Sequence, residues 1–201
     1  IACRGCAAKV AVHPLQAALR AAEIIDLSSY PEDASLIHSS FEGGSWFQSV
    51  DGFPSLVSDF WLNARITTLH ACSDLWARGA SVSSAQALIT LPAIHQNLQE
   101  EILTQSLAGI KSALDPQGAK LIGGHTFESR SAVADNIPLD VEISLSINGF
   151  VKPGIVPWGK GGLKPGDQIL LSRGLGSGVV FAAAMQGGAG SQRARRSRSS
   201  K

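Results

Sequence analysis

The stretch "CRGCAAK" brings Cys3, Cys6 and Lys9, two thiols and an amine, within seven residues. Several chemistries use such groups. A Cys-x-x-Cys pair is half of a tetrahedral zinc site, but a structural site takes four ligands. Only Cys72 and five histidines remain, and none of them forms a second paired motif. A redox pair of the thioredoxin kind needs a strand–helix context that the flanking sequence lacks. An ammonium beside a thiol favours the thiolate and also holds phosphate oxygens, so Cys6 followed by Lys9 fits a nucleophile next to a phosphate-binding cation. A flexible end carrying incidental cysteines is the plain alternative.

The acidic residues offer a second chemistry. Asp33 begins a predicted strand, Asp51 ends one, and Asp74 sits inside a predicted helix, in "HACSDLWA". A carboxylate on so apolar a stretch is costly unless it is paired or binds a cation. Arg78, one turn on, and Arg65 are candidate partners. Three carboxylates at element ends otherwise suit Mg²⁺ and phosphates better than zinc. Gly123-Gly124-His125-Thr126 follows a short strand, where amides unobstructed by side chains can approach a phosphate, or simply turn the chain.

The elements that must position these groups follow from periodicity. Pro14 to Leu27 reads as a helix opened by proline, with Leu15, Ala18, Leu19, Ala22 and Ile25 at helical spacing. Ala34 to Ser39 and Ser45 to Asp51 read as strands of a hairpin. Asp59 to Arg78 is a helix capped by Gly79, with Phe60, Asn63, Ala64, Thr67, Ala71, Leu75 and Arg78 on one broad side. Val82 to Leu91 is a strand stopped by Pro92, Gln96 to Leu114 a helix, Ala119 to Ile122 a short buried strand, and Val141 to Val151 an alternating strand. After Pro153 the texture turns to Pro and Gly. A strand is expected at Gln168 to Ser172 and a helix near Val179. The G-x-G-x-G run at 174, 176 and 178 is a weak signal, and neither a Walker loop nor a G-x-G-x-x-G follows the first strand.

The order β-β-α-β-α-β-β describes an α+β domain with a mixed or antiparallel sheet. The expected organisation is a flexible Cys/Lys loop over 1–12, a main domain over 13–152, a Pro- and Gly-rich segment over 153–186, and a disordered basic tail over 187–201. A length of 201 residues, 44% of them hydrophobic, is enough to bury a substantial core. A net charge of +1 argues against nucleic acid as a partner. The apolar runs are too short for a membrane-spanning helix. Three cysteines and no secretory signal make a reducing cytoplasm the expected compartment. An opening at Ile1, directly on a motif, reads as excision from something longer.

Taken in order, "GCAAKV", "EDASL", "SVDGF", "HACSDLWARGA", "KLIGGHT" and "LKPGDQILLSRGLGSGV" resemble selenophosphate synthetase (selenide, water dikinase), of the aminoimidazole-ribonucleotide-synthetase-like superfamily. The resemblance runs from Cys3 to about Met185. It implies a reaction of ATP, selenide and water that yields selenophosphate, AMP and phosphate with Mg²⁺. It also implies an active-site loop over 1–12, the superfamily's amino-terminal ATP-binding and dimerisation domain over 13–152, a linker and the truncated start of a second α/β domain over 153–186, and a homodimer.

Carried over residue by residue, Cys6 takes the family's Cys-or-selenocysteine position and Lys9 that of its essential, ATP-contacting lysine. Asp33 and Asp74 become Mg²⁺ ligands. Asp51, Tyr30-Pro31-Glu32 and Gly124-His125-Thr126 become nucleotide contacts, and Asp74 counts among the nucleotide-binding residues as well. Much of the family has Cys-Gly-Cys-Lys, whereas Ala7 and Ala8 separate Cys6 from Lys9 here. That spacing resembles the branch fused behind a flavin-dependent oxidoreductase. Sister activities of the superfamily, such as thiamine-phosphate kinase or hydrogenase maturation, need the aspartates but not Cys6 and Lys9. A non-catalytic nucleotide-binding or dimerising fragment is the further alternative.

Overall fold

The structure is a computed structural model and describes residues 10, 12–24, 32–40, 43–129 and 140–180. These fall into two units, one within 2–160 and the other within 161–201. In the first unit, helix α1 (Val12–Ala21) precedes strands β1 (Ser35–Ser40) and β2 (Gly44–Phe53). Helix α2 (Phe60–Ala77), β3 (Ser81–Leu91), α3 (Gln96–Leu114), β4 (Lys120–Glu128) and β5 (Glu142–Val151) follow. The five strands form one mixed sheet in the order β1-β2-β5-β3-β4, with only the β3–β4 pair parallel. This is the expected α+β arrangement with a mixed sheet. Among the described residues no helix is long and apolar enough to cross a membrane.

Strand alternation sorts the sheet into two faces. Ala85, Ala87 and Ile89 of β3 and Ile143, Leu145 and Ile147 of β5 are buried and form the core with Ala64, Ala71, Leu75, Ile102 and Ile110 of α2 and α3. Both longer helices therefore cover one face. On the other, Trp46, Val50 and Leu88 are exposed. Helix α2 starts where Asp59 accepts a hydrogen bond from Leu62 N–H at 2.8 Å, which satisfies one of the amides at the helix start. It ends at Gly79, whose φ of 70° suits glycine. Arg65 ties α2 to α3 through the Ser112 carbonyl at 2.6 Å.

Several sequence expectations are corrected. The first helix stops at Ala21, short of Leu27, and buries none of its residues among those described, so its apolar stripe has no core to extend along. The Ala119 strand is neither short nor buried: β4 runs to Glu128 with every residue exposed, because it lies at the sheet edge. Gly123-Gly124-His125-Thr126 is therefore strand, not turn. In the second unit, Gln168 to Ser172 is irregular, for it finds no ladder partner among the described residues, and a helix begins at Ser177.

Candidate functional site

The side chains that could do chemistry meet where α2 crosses β2. Phe47, Ser49 and Asp51 alternate onto the helix-facing side of β2, while His70 and Asp74 of α2 and Arg78, the residue that caps it, recur at every fourth position. Four helical residues advance about 6 Å and two strand residues about 6.8 Å, so the two rows keep step. Three rungs result. His70 Nε2 lies 2.9 Å from Asp51 Oδ2. Ser49 Oγ donates to Asp74 Oδ2 at 2.7 Å. The Arg78 guanidinium lies over the Phe47 ring, 5.1 Å from its centroid.

Each rung is braced. Asp51 Oδ1 accepts from Gly52 N–H at 2.8 Å, so both carboxylate oxygens are held. The His70 ring packs against Phe53 with centroids 4.5 Å apart. Arg78 Nη1 stands 2.8 Å from Glu32 Oε2, an ion pair without the alignment of a hydrogen bond. This pair tethers the residues before β1 to the α2 end that carries Asp74. Next to Glu32, Asp33 Oδ1 pairs with Lys160 Nζ at 2.9 Å.

Asp74 thus pairs with neither arginine considered for it: Arg65 serves α3, and Arg78 serves Glu32 and Phe47. Glu32, Asp51 and Asp74 are linked through α2 and β2, and Asp33 joins them as the chain neighbour of Glu32. Gly124, His125 and Thr126 are not brought to them. They sit on β4, three strands from β2 and so about 14 Å across the sheet. His125 stands in register with exposed Leu88 and lines a cavity of ≈ 380 Å³ with Val50 and Ser144. A Cβ on Gly124 would stand 2.0 Å from the Ala87 carbonyl oxygen, so this close strand contact admits only glycine. Cys3, Cys6, Lys9, Tyr30 and Pro31, with the 187–201 tail, lie outside the described residues.

Sequence reasoning passed over His70, Ser49 and Lys160. Helical spacing from Asp74 points to His70, and strand spacing from Asp51 points to Ser49. Lys160 carries no local signal, since it reaches Asp33 only through the tertiary fold.

The donors available to a cation are carboxylate and hydroxyl oxygens, and among the described residues no three acidic, histidine or cysteine side chains converge as a ready metal cage. Carboxylate and hydroxyl oxygens are donors of the kind that Mg²⁺ takes, one or two carboxylates with water and phosphate oxygens completing its shell. The ammonium of Lys160 at Asp33 marks a position that already accommodates positive charge.

The profile of the family described as AIR synthase related protein, N-terminal domain, matches residues 31–151. The chain belongs to that family. It is 33% identical over 152 residues to a selenide, water dikinase of Nitratidesulfovibrio vulgaris (strain DSM 19637 / Miyazaki F), covering 76% of this chain and 40% of the relative. It is 30% identical over 201 residues to the selenide, water dikinase of Myxococcus xanthus (strain DK1622), covering 96% of this chain and 53% of the relative. The chain thus spans about half the length of these curated relatives, or less. Its fold is like that of thiamine monophosphate kinase from Aquifex aeolicus, with a TM-score of 0.53 at 15% identity over 70% of this chain and 43% of that one.

Proposed function

We propose that this AIR-synthase-related chain serves ATP-dependent synthesis of selenophosphate from selenide and water, with release of AMP and phosphate. The observation that carries the reading is the α2–β2 seam. It fixes Asp51 and Asp74, with Glu32, the chain neighbour of Asp33, tied in through Arg78, in a chain whose relatives above are named selenide, water dikinase.

In this reading Asp33 and Asp74 hold Mg²⁺. Asp51 contacts the nucleotide, with its carboxylate fixed from both sides by Gly52 and His70. Ser49 turns Asp74 by holding one of its oxygens and leaves the other to face a ligand. The chemistry that Mg²⁺ supplies when bound is neutralisation of the polyphosphate. Lys9 adds a cation at the phosphates, and Cys6 supplies a soft thiolate suited to soft selenide. Such a transfer depends on positioning and charge, so the carboxylates and Lys9 outweigh the thiol. Tyr30, Pro31 and Glu32 complete the nucleotide contacts in this reading, whereas Gly124-His125-Thr126, three strands from β2, are not part of this site within one chain.

The active form in this reading is a cytoplasmic homodimer. The exposed Trp46, Val50 and Leu88 on the open sheet face support burial against a second copy. A flavin-dependent oxidoreductase fused upstream is the proposed neighbour. AMP release measured with and without selenide tests the function. Selenide-dependent AMP upholds it, ADP formation points to a sister kinase, and nucleotide binding without turnover points to a binding fragment.

A further inference from the structure

The chain that leaves β5 returns to the candidate site. Trp158 N–H donates to the Arg78 carbonyl at 3.1 Å. The Trp158 ring lies over Gly79, close enough that a Cβ there would stand 3.3 Å from it. Gly159 follows beside Glu32, where a Cβ would meet Oε1 at 3.3 Å. Lys160 then sets its ammonium against Asp33. Three consecutive residues thus strap the end of α2 to the Glu32–Asp33 pair.

The Asp33–Lys160 contact has the properties of a replaceable one. Its side chains are 36% and 49% exposed, and ion pairs at such exposure are weak. The adjacent Glu32 is engaged by Arg78. A divalent cation bound at Asp33 would place like charge against the ammonium, and their repulsion favours departure of the ammonium from that carboxylate.

We propose that Lys160 is the resident counter-cation of Asp33, that a divalent cation must displace it to bind, and that displacement loosens the Trp158–Lys160 strap. This rests on the reading of Asp33 as a metal ligand. Cation binding is thereby coupled to the segment that follows β5, with the lysine setting how much cation is needed.

The test is Mn²⁺ alone, without nucleotide, titrated into the full 201-residue chain with free Mn²⁺ read by electron paramagnetic resonance. Lys160→Met should bind Mn²⁺ about fivefold more tightly, equivalent to ~1 kcal/mol, and Lys160→Arg should match the parent. Asp33→Asn should weaken binding in both backgrounds and erase the difference between them. Mn²⁺ should also speed tryptic cleavage after Lys160 in the parent but not in Asp33→Asn. If Asp33→Asn weakens binding while Lys160→Met does not tighten it, the counter-cation is refuted and the metal assignment stands. If Asp33→Asn changes nothing, or no Mn²⁺ binds, the metal assignment falls and takes this inference with it. Tightening by Lys160→Arg as large as that by Lys160→Met would trace the effect to lost packing and refute the charge argument. Unchanged cleavage would refute the loosening. Should Lys160→Met fail to fold, Lys160→Gln replaces it.

Discussion

Ser49 Oγ donates to Asp74 Oδ2 across 2.7 Å, one rung along the α2–β2 seam from the contact between Asp51 and His70. A serine that holds one oxygen of a half-buried carboxylate fixes where the other oxygen points. Asp74→Asn keeps the shape and removes the charge. It should weaken Mg²⁺-dependent nucleotide binding at least tenfold, as titrated with and without Mg²⁺. Its melting temperature should stay within a few degrees of the parent's. Ser49→Ala should cost about 1 kcal/mol of the same binding. An Asp74→Asn protein that loses stability and keeps its Mg²⁺ dependence would make the residue structural.

Lys9→Ala, made in a full-length active relative at the matching lysine, should lower turnover by more than about a hundredfold, in line with loss of a charge-stabilising donor. Near-normal AMP release would remove the lysine from the reaction.

Arg78 combines an ion pair to Glu32 with a stack on buried Phe47. Arg78→Ala should destabilise the fold by about 1–3 kcal/mol in denaturant melts. Arg78→Lys should recover only part of this, because an ammonium lacks the planar face that stacks on the ring.

The Cys72 thiol is pushed up by burial, only partly offset by its hydrogen bond with Gln117. With Cys3 and Cys6 replaced by serine, the native protein should resist a thiol reagent at neutral pH and react fully once unfolded. The sign follows from linkage. A thiol whose folded pKa exceeds its unfolded one contributes stability that is whole below the unfolded value and is lost as pH rises through the folded value. Melting temperature should therefore fall in the alkaline range, and Cys72→Ala should flatten that slope.

Gly124→Ala would push a Cβ into the Ala87 backbone. The parallel β3–β4 pairing should loosen, at a cost of about 2 kcal/mol or more. Faster amide exchange on β4 would reveal it.

Much of this architecture is legible in the chain because the signals are local. The apolar spacing of α2, its Asp59 start and its Gly79 end, and the alternation of β5 each mark an element within one or two residues. The Ala119 stretch misleads because apolar residues with β propensity look alike in a core strand and at a sheet edge. Topology alone decides which, and β4 lies last in the order. The same holds for the site. Asp51 and Asp74 can be singled out by type and setting, but their partners lie on other elements. Ser49 meets Asp74, His70 meets Asp51, and Glu32 meets Arg78 only after α2 has packed on β2.

The matched advance of helix and strand along that seam makes it tolerant of some changes and brittle to others. A point substitution alters one rung and leaves its neighbours in place. Deleting one residue within β2 reverses the strand's faces beyond the deletion, turning residues such as Trp46, Gln48 or Val50 toward α2 in place of their neighbours. Evolution can therefore retune each rung singly, whereas a one-residue length change between Phe47 and Asp51 would put the row out of phase in a single step.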